Sequence, residues 1–208
     1  MFYDPRTEHH GLPHNPWLAM IVPRPIGWIS SAAADGTPNL APYSCFNAVS
    51  GRPPHLMFSS DDGKDSITNA QATGYFCANI ATYDLREQMN QSSAVYPPEV
   101  DEFEAAGLTA VPCRNIPVMR VAESPISIEC KLAQVVILTP SSGLPSTSRI
   151  AIGEVVGIHI DERVLKDGLV DIELLQPLGR MGYREYTVPP LSFEMLRPAE
   201  PDGTKGRT

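Results

Sequence analysis

Proline and glycine constrain this chain more than any other residues: 21 prolines and 15 glycines are spread through its 208 positions. Each proline fixes φ and withholds a backbone donor, so long helices and long uninterrupted strands are both disfavoured. Between these breaks lie short apolar segments enriched in β-branched and aromatic residues. They fall at 18–22 (LAMIV), 26–31 (IGWISS), 44–49 (SCFNAV), 56–60 (LMFSS), 75–81 (YFCANIA), 126–138 (ISIECKLAQVVIL) and 150–160 (IAIGEVVGIHI). Each is bounded by Pro, Gly, Asp or Ser, the pattern of strands joined by turns. Asp35-Gly36 suits a tight turn with positive φ, so 26–31 is expected to pair with 39–49.

Helical signals are fewer and shorter. Residues 64–72 follow an Asp-Asp-Gly turn, 83–91 follow Thr82 as a candidate N-cap, and 100–106 end at Gly107. Helices of the length that parallel crossovers need do not alternate with the strands, and neither a GxGxxG nor a GxxxxGK[ST] pattern occurs. The expectation is a mainly β, α+β chain built on an antiparallel barrel or sandwich with a few short helices. Residues 1–16 read as an N-terminal arm, 17–196 as one folded domain, and 197–208 as a flexible polar tail with too few apolar groups to offset its own ordering.

Charge excludes some partners. Sixteen basic against twenty-four acidic residues give a net charge of −8, with no block of Lys or Arg to attract nucleic acid or anionic lipid. The segment MFYDPRTEHHGLPHNP carries neither a signal-peptide pattern nor a bilayer-spanning run, so a cytoplasmic protein is expected. Cys45, Cys77, Cys113 and Cys130 are widely spaced, without a CxxC pair or a nearby His, and are read as reduced core residues rather than metal ligands.

Three segments are placed to carry chemistry. In Pro23-Arg24-Pro25-Ile26-Gly27-Trp28-Ile29-Ser30-Ser31 two prolines precede a strand that ends in adjacent hydroxyls; a surface serine pair is the plain alternative. Asn39 to Asn47 (NLAPYSCFN) gathers amide, hydroxyl and aromatic groups around a proline, which suits either a planar ligand or simple core filling by Tyr43 and Phe46. Ser59 to Ser66 (SSDDGKDS) runs from a strand end into a helix start, where free N–H groups, Lys64 and hydroxyls make a phosphate site. Asp65 as an N-cap would satisfy the same N–H groups without a ligand. His159 alternates with Ile158 and Ile160 in a strand and should face opposite to them.

Together RPIGWISS, the Asp-Gly turn, NLAPYSCFNAVS, PPHLMFSS, KDSITN, FCANI, VDEFEAAGLT, ESPISIECKL, GEVVGIHID and PLGRMGYREY resemble the flavin reductase-like, FMN-binding split-barrel family, in order from about residue 17 to 187. The flavoredoxin-like branch is the nearest in appearance. The resemblance implies an antiparallel split β-barrel, a homodimer and one non-covalent FMN per subunit. It would set Trp28, Ile29, Ser30 and Ser31 against the flavin and its ribityl chain, and Pro42, Tyr43, Ser44, Cys45, Phe46 and Asn47 along the ring. Ser59, Ser60, Lys64, Asp65 and Ser66 would form the phosphate end. Relatives often carry Thr where Ser31 and Ser66 stand, Phe in place of Cys45, and a His shortly before the GEV-type strand, where this chain reads Thr147-Ser148-Arg149. Arg149, His159, Arg180 and Tyr183 are candidates for a donor site or pocket rim. The implied activity is an FMN-dependent oxidoreductase taking hydride from NADH or NADPH, with the flavin rather than a side chain as the catalyst. Its alternatives are a flavoredoxin-type carrier with a redox partner protein, or a non-catalytic FMN-binding protein.

Overall fold

The structure is a computed structural model that describes residues 1–97, 100–141, 143, 146–189 and 192–195. The expected tail at 197–208 lies outside the described residues. Strands β1 (Gly27–Ala32), β2 (Pro38–Tyr43), β3 (Phe46–Gly51), β4 (Pro54–Asp61), β5 (Tyr75–Ile80), β6 (Ile126–Ile137) and β7 (Ser148–Ile160) form one seven-stranded sheet, in the order β2-β1-β5-β6-β7-β4-β3. Every pairing in it is antiparallel. Four short helices, α1 (Asp65–Thr73), α2 (Arg86–Gln91), α3 (Glu102–Ala105) and α4 (Ile172–Leu175), lie among the strands. None of the described helices is long and apolar enough to cross a membrane.

The two edge strands of this sheet, β2 and β3, are consecutive in sequence and separated only by Ser44-Cys45. The sheet curls until its edges approach: the Ser59 N–H donates to the Cys45 carbonyl at 2.8 Å, and the Tyr43 ring lies 5.2 Å from that of Phe58. The result is an antiparallel barrel split between β2 and β3. Here the pairing expected for 39–49 is corrected. Residues 39–43 do pair with β1, but register runs out at Gly27↔Tyr43, and 46–51 pair with β4 instead. The chain before Gly27 cannot prolong β1 as a ladder because Pro25 and Pro23 lack N–H groups.

The segment 18–22 is also not a strand. Trp17–Ala19 forms one 3₁₀ turn after Pro16, and Trp17 and Met20 remain exposed. By contrast Gly36, at φ +92°, makes the expected Asp-Gly turn, with the Thr37 N–H donating to Asp35 Oδ1 at 3.0 Å.

All six residues of β1 are buried, because it is covered on both faces. Trp28 packs with Leu40, Met89, Phe103 and Val121, while Ile29 on the opposite face packs with Phe58, Ile67, Phe76 and Ala151. Gly27 is required by its neighbour: a Cβ there would fall 2.3 Å from the ring of Phe46. Trp28 satisfies its indole by donating to Ser92 Oγ at 2.8 Å. Asn79 crosses the core, donating to the Trp28 carbonyl and Ser30 Oγ while its Oδ1 accepts from the Val121 N–H and Ser127 Oγ. Asn79 therefore bonds through both ends of its amide, as a buried amide must.

The cysteines divide. Cys77 and Cys130 are buried, Cys113 is half-buried, and Cys45 is exposed, contrary to the reading of all four as core residues, because the β2–β3 link sits at the mouth of the split. A hydrogen bond with Cys113, added to burial, raises the Cys77 thiol; burial raises that of Cys130. Both stay protonated and unreactive.

Glu129 on β6 is fully buried, yet its carboxylate is ionised by design of its surroundings. Burial alone would push its pKa up, but N–H donors from Arg114 and Asn115, each at 2.7 Å, and His159 Nε2 at 2.5 Å hold it below the ordinary carboxylate value. His159 does face opposite to Ile158 and Ile160, which are exposed. A depressed folded-state pKa contributes stability above the unfolded value of about 4.3 that is lost as pH falls through the folded value. Glu129→Gln should therefore cost about 2 kcal/mol at neutral pH. Urea midpoints measured down the acid range should fall more steeply for wild type than for this variant; parallel curves would show that Glu129 is not the group responsible.

Candidate functional site

The split between β2 and β3 opens into a cleft. Its larger lobe, about 580 Å³, is walled by Tyr43, Ser44 and Cys45 on one side and by Ser59, Ser60, Lys64, Asp65 and Ser66 on the other. Volumes of this order hold ordinary cofactors. Gly63 at φ +79° turns the chain out of β4, leaving Lys64 in extended geometry as the N-cap of α1. Asp65 is then the first helical residue rather than the cap, the alternative to a phosphate site that the sequence left open. No side chain caps this helix start, so its first N–H groups have no side-chain acceptor. Lys64 is exposed and has no ion-pair partner among the described residues. Asp61, also on the cleft, is instead held by Ser148 Oγ at 3.0 Å.

Within the cleft wall runs a polar network, buried at Ser31, Asn39 and Ser66 and half-buried at Glu102. The carbonyl oxygen of Asn39 accepts from Ser31 Oγ at 3.1 Å and Ser66 Oγ at 2.8 Å, and its amide donates to Glu102 Oε1 at 3.1 Å. Glu102 Oε2 also accepts the outward Leu40 N–H of edge strand β2 at 3.2 Å. Burial raises the Glu102 pKa, with these donors working against it.

This network accounts for where the structure places Trp28, Ile29, Ser30 and Ser31. None of the four lines the cleft: Trp28 and Ile29 are core side chains, and both serine hydroxyls bond inward, Ser31 to Asn39 and Ser30 to the Cys77 carbonyl. A strand covered on both faces offers no side chain to solvent. Phe46 likewise faces the core, and Asn47 is exposed outside the cleft, its Oδ1 taken by the Ala48 N–H. Pro42, Tyr43, Ser44, Cys45, Ser59, Ser60, Lys64, Asp65 and Ser66 do converge.

Of the rim candidates, Arg149 sits opposite Ser60 in the β4–β7 ladder, with its guanidinium donating to Asp62 at 2.7 Å and Gln71 at 3.2 Å. His159 lies ten residues further along β7, about 30 Å at strand rise, bonded to Glu129 and away from the cleft. Arg180 and Tyr183 border a second lobe of about 440 Å³, which shares Pro42, Tyr43 and Ser44 with the first. Sequence reasoning put Asn39 in a ligand-binding segment without carrying it into the flavin contacts, and it missed Glu102, Tyr96 and Trp17 as lining residues. The Asp-Gly hairpin register places Asn39 opposite Ser31 and was a usable signal for it; Glu102, from a distant helix, gave none.

An antiparallel barrel split at its edge strands, with hydroxyls and a lysine gathered at the split, defines a split-barrel class with a polar cleft at its opening. The chain belongs to the flavin reductase like domain family, which it matches over residues 19–176. It is 37% identical over 175 residues to an uncharacterized protein of Aquifex aeolicus, covering 81% of this chain and 86% of that one. The structure of nitrilotriacetate monooxygenase component B from Bacillus cereus aligns with a TM-score of 0.86 at 29% identity, covering 94% of this chain and 98% of that one. Flavoredoxin of Desulfovibrio vulgaris shares the fold with a TM-score of 0.74 at 24% identity, covering 95% and 100%.

Burial raises the pKa of Tyr43 at the junction of the two lobes, and a contact from Ser60 Oγ works weakly against it. Its phenol should ionise above the usual value of about 10, so the stability it contributes is lost as pH rises beyond that point. In a tyrosinate absorbance titration, Tyr43→Phe should remove a late-titrating component; loss of an ordinary component instead would contradict this burial.

Proposed function

We propose that the cleft holds one non-covalent FMN per subunit and that the protein is an FMN-dependent oxidoreductase, a flavin reductase using NADH or NADPH. The observation that carries this reading is the uncapped start of α1 set beside Lys64, Ser59, Ser60 and Ser66. An N-terminal helix turn with a free cation and the hydroxyls of Ser59 and Ser60 has the donors a phosphate needs, while Ser66 commits its hydroxyl proton to Asn39 and so holds the wall in place. The ring end would lie along Pro42 to Cys45, whose backbone follows the open edge of the sheet. FMN, when bound, supplies the hydride and electron transfer chemistry. The side chains bind and orient it and shield one face. Trp28, Ile29, Ser30 and Ser31 act from behind by fixing β1. In this reading 17–196 is the flavin domain and 1–16 its arm.

A carrier reading has one specific support: the Arg149 fork is already engaged by Asp62 and Gln71, which leaves it less available to a dinucleotide phosphate. Steady-state oxidation of NADH or NADPH with added FMN separates the two readings. Turnover supports the reductase, and reduction only by a protein donor supports a flavoredoxin-type carrier.

FMN should bind more tightly than riboflavin, and Lys64→Ala should weaken FMN by about 1 to 3 kcal/mol, the range for a hydrogen bond to a charged group. Equal affinity for the two flavins, read by fluorescence quenching, would remove the phosphate from the start of α1.

A homodimer belongs to the same proposal. Val156, Ile158 and Ile160 stand exposed on the outer face of β7, and Leu165, Leu169 and Val170 are exposed just beyond it. An apolar surface of this kind is ordinarily covered by a partner. Sedimentation at micromolar concentration should give twice the chain mass of 22.7 kDa, and charged replacement of Ile158 and Leu169 should shift it toward the single chain. A wild-type protein that sediments only as the single chain contradicts the dimer.

A further inference from the structure

We propose that the second lobe of the cleft is a subsite for a small aromatic carboxylate, with Arg24 and Arg180 as its charge partners. The proposal rests on the flavin reading, because this lobe shares Pro42, Tyr43 and Ser44 with the proposed ring end and would seat its ligand beside the ring.

The first observation is a buried cation without a counter-ion. Arg24 is 8% exposed, and no carboxylate lies within 4 Å of its guanidinium among the described residues. Its terminal nitrogens donate to the carbonyls of Leu18, Ile21 and Met181, and its Nε has no acceptor. Carbonyl dipoles solvate the charge but do not neutralise it, and a buried cation is costly unless it is paired.

The second observation concerns register. In the short antiparallel pair formed by Arg24–Pro25 and Gly179–Arg180, Arg24 lies directly opposite Arg180. Like charges facing each other across two strands repel. Both arginines line the lobe, and no acidic residue does among the described residues, in a chain whose net charge is −8. The larger lobe carries three carboxylates, Asp61, Asp65 and Glu102. The smaller lobe is therefore cationic, and an anion bound in it would offset both the burial cost of Arg24 and the repulsion from Arg180.

The remaining wall selects a flat molecule. Tyr183, Tyr186 and Trp17 border the lobe, and the Arg180 guanidinium stacks over the Tyr186 ring at 4.4 Å and donates through one terminal nitrogen to the Tyr183 carbonyl, which fixes the cation at the lobe wall with its other N–H groups left for a ligand. At about 440 Å³ the space accommodates a substituted aromatic ring beside the shared Pro42–Ser44 wall.

Benzoate, its uncharged analogue benzamide, and nicotinamide mononucleotide are the probes, titrated calorimetrically into the full chain with and without FMN. Benzoate should bind at least tenfold more tightly than benzamide. Arg180→Gln should weaken benzoate at least tenfold while FMN affinity, measured separately, stays within twofold. Arg24 also pins the 18–21 turn, so Arg24→Lys, which retains the charge, is compared with Arg24→Gln for melting temperature and benzoate affinity; only the glutamine variant should lose benzoate. Equal binding of benzoate and benzamide overturns the proposal. So does binding of the mononucleotide without benzoate, which gives the arginines to a nucleotide phosphate, and so does loss of FMN in Arg180→Gln, which gives them to the flavin. Benzoate binding by a protein that takes up no FMN sinks the flavin reading and retains the subsite; FMN binding without benzoate does the reverse.

Discussion

The carbonyl oxygen of Asn39 accepts two hydroxyl protons, from Ser31 on β1 and Ser66 on α1, while its amide donates to Glu102 on α3. This buried junction ties an edge strand, its neighbour and two helices at one point. Removing any member would strand polar groups out of reach of water, at about 1 to 3 kcal/mol each. Both walls of the cleft are built on it: β2 leads directly into Pro42–Cys45, and α1 begins at the residues that carry Lys64 and Ser66. Glu102 also occupies the Leu40 N–H on the exposed edge of β2, which blocks the edge from pairing with another strand. The sheet can thus stay open where a ligand must enter without becoming adhesive there.

The split itself follows from a shortage of partners. β1 is six residues long and preceded by prolines, so β2 cannot extend its pairing beyond Tyr43. The chain reverses within two residues, and β3 pairs on the far side of the sheet with β4. Consecutive strands thereby become opposite edges of one sheet. The unpaired backbone between them and the helix start after β4 face a common space, which is how one topological gap yields both an apolar ring-sized surface and a set of polar donors.

Charge is distributed unevenly over that space. Among the described residues the larger lobe mixes Lys64 with three carboxylates, whereas the smaller one is bordered by Arg24 and Arg180 without an acid. For a chain of net charge −8 the second arrangement is the unusual one, and tertiary placement alone produces it: Arg24 and Arg180 are far apart in sequence and meet through a two-residue strand pair. The opposite sign is handled at Glu129, where two backbone N–H groups and His159 stabilise a buried carboxylate far from the cleft. The fold therefore compensates one buried charge internally and leaves another facing a cavity.

Short apolar runs between prolines and glycines were enough to read the strands, because burial patterns and turn chemistry are local properties. The Asp-Gly hairpin, helix α1 and the convergence of 42–45 with 59–66 were legible for the same reason, helped by ordered resemblance along most of the chain. What the sequence could not convey was which way the side chains of a doubly covered strand point. Trp28 and Ile29 look available in RPIGWISS and are core residues, and the hydroxyls of Ser30 and Ser31 serve a buried network. Segment 18–22 had the composition of a strand but no free partner to pair with. Local chemistry thus determined the elements and the family of this protein, whereas long-range register alone decided which side chains reach the cleft, because a side chain's exposure depends on what packs against both faces of its strand.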